Sequence, residues 1–204
     1  MQPLDELLRQ EVLAMATNDL SVRAELIAEG TLVKEGYHPR MEAVHKSNAA
    51  HLTRIIEQHG WPGKSLVGED GAEAAWLIVQ HSIGNPAFMR RCLSLLQQAG
   101  KKGDAPLWHA AMLEDRIRMY EGKPQIYGSQ FQPDENGLAP YQIENPGGVN
   151  DRRRAVGLNS LEERTAELRE QHVKEGMPLV IDRTELERRR KEDEEWFRAT
   201  GWRA

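Results

Sequence analysis

Residues 71–82 of this chain read GAEAAWLIVQHS, with apolar side chains at Ala74, Ala75, Trp76, Leu77, Ile78 and Val79 and no polar face among them. A helix that is apolar on every side must be covered on every side. This stretch therefore constrains the fold more than any other: it predicts a buried central helix with further helices packed around it. It is well short of the ~20 residues that a membrane span requires, and no other run approaches that length. A chain of 204 residues is long enough to supply the cover and a core of useful size.

The surrounding segments carry helical spacing. Leu4, Leu7, Leu8, Val12 and Met15, then Leu20, Val22, Leu26 and Ile27, predict helix over residues 4–29 with a break near Asn18 and Asp19. Gly30 and Gly36 bracket a loop. Pro39 opens a second helix with Met41, Val44, Leu52, Ile55 and Ile56 on one stripe, ended by Gly60 and Pro62. A loop over 61–68 leads into the central helix. Asn85 then caps, and Pro86 begins, a helix reaching about Gly100. Asp104 is expected to cap a fifth helix that runs through Tyr120.

Beyond Gly122 the pattern changes. The β-prone run Gln125 to Phe131, the turn-rich 133–137 and Tyr141 to Ile143 predict a small β-hairpin or ordered loop excursion over about 124–144. Asn150 is expected to cap a short helix finishing at Gly157. From Ser160 the chain becomes charge-laced, with capping-box patterns at Ser160–Glu163 and Asp182–Glu185. The predicted architecture is mainly α. The predicted organisation is a helical core domain over 1–159 and a charged helical C-terminal extension over 160–204.

Net charge is −5, against a nucleic-acid partner, and the basic run Arg188 to Lys191 is followed at once by the acidic run Glu192 to Glu195. The N-terminal residues lack the basic start and apolar middle of a signal peptide. One cysteine, Cys92, cannot form an intramolecular disulfide, and it falls on the apolar side of its helix. These features predict a cytoplasmic protein with neither nucleic acid nor membrane as partner.

The phosphate-loop, paired-cysteine, HExxH and GxSxG strings are absent. Glu42 and His45 form a Glu-x-x-His pair, but di-iron bundles need a second copy, so neither a metal nor another cofactor is predicted. Attention falls instead on Gln80 and His81, which end the apolar helix. At helical spacing they lie beside Trp76, Leu77 and Ile78, so their polar tips need partners. On the fifth helix, Asp115 can orient an imidazole and Arg116 can offer its planar fork to an anion. Gln125, Tyr127 and Gln130 supply neutral donors and acceptors suited to a polar ligand. Arg152 and Arg153 add positive charge.

The strings WLIVQH at 76–81, LEDRI at 113–117, GKPQIYGSQ at 122–130 and RRRAVGL at 152–158, together with GWP at 60–62 and SLVG at 65–68, resemble one group. It is an uncharacterised family of small soluble bacterial proteins, a domain of unknown function. The resemblance covers roughly residues 40–160. It implies weight on Trp76, Gln80, His81, Asp115, Arg116, Gln125, Tyr127, Gly128, Gln130, Arg152 and Arg153, and it implies no activity. Ser129 stands where threonine is usual. Asn150 stands where aspartate is expected, so no catalysis is assigned there.

The functional expectation is a polar pocket for a small polar or anionic molecule, hydrolytic in use. His81 and Asp115 are the catalytic pair; Gln80, Arg116, Gln125, Tyr127, Gln130, Arg152 and Arg153 bind substrate. The alternative is a non-enzymatic adaptor or immunity-type module. Its C-terminal tail, ending in Trp196, Phe197 and Trp202, would meet a protein partner or a second copy of the chain.

Overall fold

The computed structural model describes residues 4–31 and 37–204; the expectation at Gly36 lies outside them. Among the described residues there are eight α-helices and one two-stranded antiparallel sheet, so the protein is mainly α with a small hairpin. The chain forms two compact units, Met1–Ala105 and Pro106–Ala204. The change of character at Ser160 falls inside the second. Among the described residues, no helix is long and apolar enough to cross a membrane.

The first unit holds α1 (Glu6–Ala28), α2 (Pro39–His59), α3 (Lys64–His81) and α4 (Pro86–Lys101). As the apolar run requires, α3 is the central element: α1, α2 and α4 all pack on it. Ala72, Ala75, Ile78 and Val79 are buried, as are Leu26, Leu52, Met89 and Leu96 on the helices that pack against α3. Cys92 is buried with them, and burial pushes its thiol up to about 12, so it is a protonated core side chain.

The ends follow local chemistry. The Asp5 carboxylate accepts from Leu8 N–H, Pro39 and Pro86 occupy first turns, Asn85 accepts from Phe88 N–H, and Gly60 ends α2 at φ 79°. Three sequence expectations fail here. The helix α1 runs without a break through Asn18 and Asp19. Aspartate inside a helix suggests a turn because its side chain competes for backbone, but Asp19 faces inward and spends its oxygens on other side chains. The helix α3 begins at Lys64 rather than near 71, with a kink at Gly68 where φ is 75°. Asp104 caps this helix and not the next: its backbone carbonyl accepts from Lys64 N–H at 2.9 Å and its carboxylate from Ser65 N–H at 2.7 Å.

The second unit holds α5 (Leu107–Tyr120), β1 (Phe131–Asp134), β2 (Gly137–Pro140), α6 (Val149–Ala155), α7 (Leu161–Lys174) and α8 (Arg183–Ala199). The hairpin pairs Phe131 with Pro140 and Asp134 with Gly137. Its strands begin later than the β-prone run suggested, because residues 125–130 form a loop bent at Gly128 (φ 63°). Asn150 sits within the first turn of α6, not before it. There it accepts from Leu161 N–H and donates to Glu162, tying α6 to α7. Ser160 and Glu163 complete a capping box, and Asp182 caps α8. Tyr120 packs against Trp196, Phe197 and Trp202, so the aromatic end of the tail is used inside this unit.

Candidate functional site

In the first unit the inward stripe of α1, Leu8, Val12, Met15 and Leu26, includes one acid, Asp19. The stripe of α2, Met41, Ala49, Leu52 and Ile56, includes His45. His81 ends α3. Three helices thus bring one carboxylate and two imidazoles to one place, and the candidate donor atoms lie within 4.8 Å of one another. Asp19 Oδ1 is 2.9 Å from His81 Nδ1, and Oδ2 is 3.3 Å from His45 Nε2. The Tyr37 hydroxyl lies 2.6 Å from His45 Nδ1. The two imidazole centroids are 5.3 Å apart.

The Asp19 side chain is 1% exposed and that of His81 is 23% exposed. Burial alone would raise the Asp19 carboxyl, but the His45 and His81 rings beside it outweigh burial and hold the group well below the usual carboxylate range. Asp19 is therefore ionised and can only accept. It follows that in the 2.9 Å contact the proton lies on His81 Nδ1. His45 Nε2 faces Asp19 Oδ2 at 3.3 Å without hydrogen-bond geometry, and its Nδ1 shares a hydrogen bond with the Tyr37 hydroxyl.

The sequence-predicted residues divide between the two units. His81 and Gln80 belong to the first, where Gln80 is buried beside the imidazole in sequence. The carboxylate that orients His81 is Asp19. The fully buried carboxylate of Asp115 instead collects the backbone N–H groups of Ile126 (2.7 Å), Tyr127 (3.1 Å) and Ser129 (2.9 Å).

Gln125, Gln130, Arg152 and Arg153 complete that loop. Gln125 donates to the carbonyls of Gln130 and Tyr141, both at 3.0 Å, and accepts from Gln130 N–H at 2.6 Å. The Gln130 side chain donates to Ser129. Arg152 donates to the carbonyl of Ile126, and the buried Arg153 to those of Tyr127 and Asn159. Gly128 is favoured at the bend because its φ of 63° lies in the left-handed region that a side chain rarely adopts. The Tyr127 ring is half-buried, and burial raises its hydroxyl. Arg116 is half-buried on α5. The structure thus brings Asp115, Gln125, Gln130, Arg152 and Arg153 together as the supports of a backbone loop.

Sequence reasoning missed Asp19, Tyr37 and the inward placement of His45. Glu42, read as its helical partner, pairs with Lys46 at 2.7 Å. The available signal was register: an acid and an imidazole each standing in an otherwise apolar stripe.

A family model described as a family of unknown function matches residues 6–174, a span that takes in Asp19, His45, His81, Asp115 and Arg153. Comparison with curated proteins and with solved structures gives no match. With well over half its length matched, the chain belongs to the DUF6624 family.

Proposed function

We propose that the protein binds a small polar molecule at the Asp19–His45–His81 cluster and hydrolyses it, with His81 as general base. The observation that carries this reading is a nearly inaccessible carboxylate gripping two imidazoles, one of them reachable from solvent. A charge buried this deeply is expensive. A core that needed only helix register could use apolar side chains instead.

The chemistry follows from the proton positions. With Nδ1–H held by Asp19, His81 Nε2 takes a proton from water as the water oxygen attacks an amide or ester carbonyl. The imidazolium so formed stands against the Asp19 carboxylate in a charge-assisted hydrogen bond. It then returns the proton to the departing nitrogen or oxygen, so water is consumed and two products leave. Asp19 is the orienting group, and the Tyr37 hydroxyl holds the His45 ring through its Nδ1. Because Asp115, Arg152 and Arg153 are engaged with backbone, the ligand is proposed to be polar rather than strongly anionic. The packing of Phe197 and Trp202 on Tyr120 supports this reading over the adaptor alternative. A cytoplasmic setting agrees with the single buried cysteine.

The test incubates the full chain with a cellular metabolite extract and follows it by mass spectrometry. Asparagine at position 81 puts an amide nitrogen where Nδ1 stands, keeping a donor for Asp19, but has no second nitrogen. The native chain should convert a polar metabolite into two products whose masses sum to substrate plus water. His81→Asn should keep a native melting curve and slow that conversion about 10²–10⁴-fold. No conversion by the native chain, or equal conversion by His81→Asn, would overturn the proposal.

A further inference from the structure

We infer that Asp19, His45 and His81 form a binding site for a divalent first-row transition metal, with zinc, iron and manganese as the ions that suit it. The inference rests on the reading of this cluster as a chemical site and names the cofactor of that site. Its first support is spacing. With metal–ligand bonds of about 2.1 Å, neighbouring donors on an octahedral ion stand about 3.0 Å apart, and on a tetrahedral ion about 3.4 Å. Asp19 Oδ1 lies 2.9 Å from His81 Nδ1, and Asp19 Oδ2 lies 3.3 Å from His45 Nε2. All three donors fall within 4.8 Å of one another.

Donor type is the second support. Two imidazoles and one carboxylate suit transition ions, and a set of three on one face leaves the remaining positions open for water and substrate. Magnesium and calcium prefer all-oxygen shells. The third support is the surround. A ligating histidine usually gives its other ring nitrogen to a fixed hydrogen-bond partner. His45 Nδ1 has the Tyr37 hydroxyl at 2.6 Å, leaving Nε2 for the ion. The donors come from α1, α2 and α3, packed helices rather than loops, so the geometry is preformed.

Loading would leave each ring its proton on the nitrogen away from the ion, Nε2 of His81 and Nδ1 of His45, the latter donating to the Tyr37 oxygen. A water on the ion would be acidified toward neutrality. That water, and not His81 Nε2, would then deliver hydroxide to the same carbonyl. The overall reaction is unchanged.

The test is calorimetric titration of the chelator-treated full chain with zinc chloride. One ion per chain should bind. His45→Ala and His81→Ala should each weaken it at least 100-fold, and Tyr37→Phe about 10-fold. X-ray absorption of the zinc-loaded native chain needs no variant, and should show two imidazoles per zinc. Absence of binding, binding unchanged in both histidine variants, or fewer than two imidazoles would overturn the inference. The hydrolysis proposal would survive that outcome, because conversion of the metabolite by the chelator-treated chain, and its loss in His81→Asn, stand independently of metal.

Discussion

At residue scale, the two buried carboxylates among the described residues do opposite work. Asp19 is surrounded by side chains that can change protonation, whereas Asp115 is surrounded by backbone N–H groups that cannot. Replacing Asp115 by asparagine removes the charge and turns one acceptor oxygen into a donor facing a backbone donor. Hydrogen bonds to charged groups are worth about 1.5–3 kcal/mol, and an unmet buried group costs about as much. Asp115→Asn should therefore lose about 2–4 kcal/mol in urea unfolding. A loss below about 0.5 kcal/mol, the range of an ordinary surface change, would show that the 126–129 loop does not depend on it. Much of this was hidden in the sequence. The chain announces that Gln80 and His81 need partners, but it does not say which. The partner of His81 lies 62 residues away on another helix. Asp115 is indistinguishable by spacing from an acid that orients an imidazole, because helical register gives the face of a residue and not what approaches that face.

At the scale of elements, local chemistry was the most legible. The Gly60 end of α2, the Asn85–Pro86 start of α4 and the Ser160 capping box each depend on a few adjacent residues, and each forms as read. The failures share one cause. Asp104 caps a helix whose Ser65 lies 39 residues before it, and Asp19 is drawn inward by residues of two other helices, so neighbouring sequence carries no trace of either role. The 125–130 run is β-prone by composition but is shaped into a loop by Asp115, Gln125 and Arg153. The capping box yields an element-scale expectation. Helix α7 has no buried residue, so its start depends heavily on its cap. Ser160→Ala should cost about 1 kcal/mol. Amide exchange in the turn after position 160 should quicken while α5 keeps its protection. Unchanged exchange there would mean that contacts beyond the cap hold the turn.

At the scale of the whole molecule, the apolar run at 74–79 did what its composition demanded. It became the buried centre of a helical unit, and the mainly α class followed from it. The division of the chain at Ala105 was not legible, since no linker composition marks it. The polar residues then separate by unit. One set supports a loop in the second unit, and the other, in the first, surrounds a single ionised carboxylate with rings able to carry protons or a metal ion. That second arrangement is the central claim, and it fixes where one proton resides. An unanchored imidazole prefers its proton on Nε2, whereas the Asp19 contact requires it on Nδ1 of His81. Long-range proton–nitrogen correlation spectra of the metal-free chain, recorded near pH 8 where an ordinary imidazole is neutral, report this directly. A protonated Nδ1 on His81 is the expected result. A bare Nδ1, with the proton on Nε2 alone, would contradict the account.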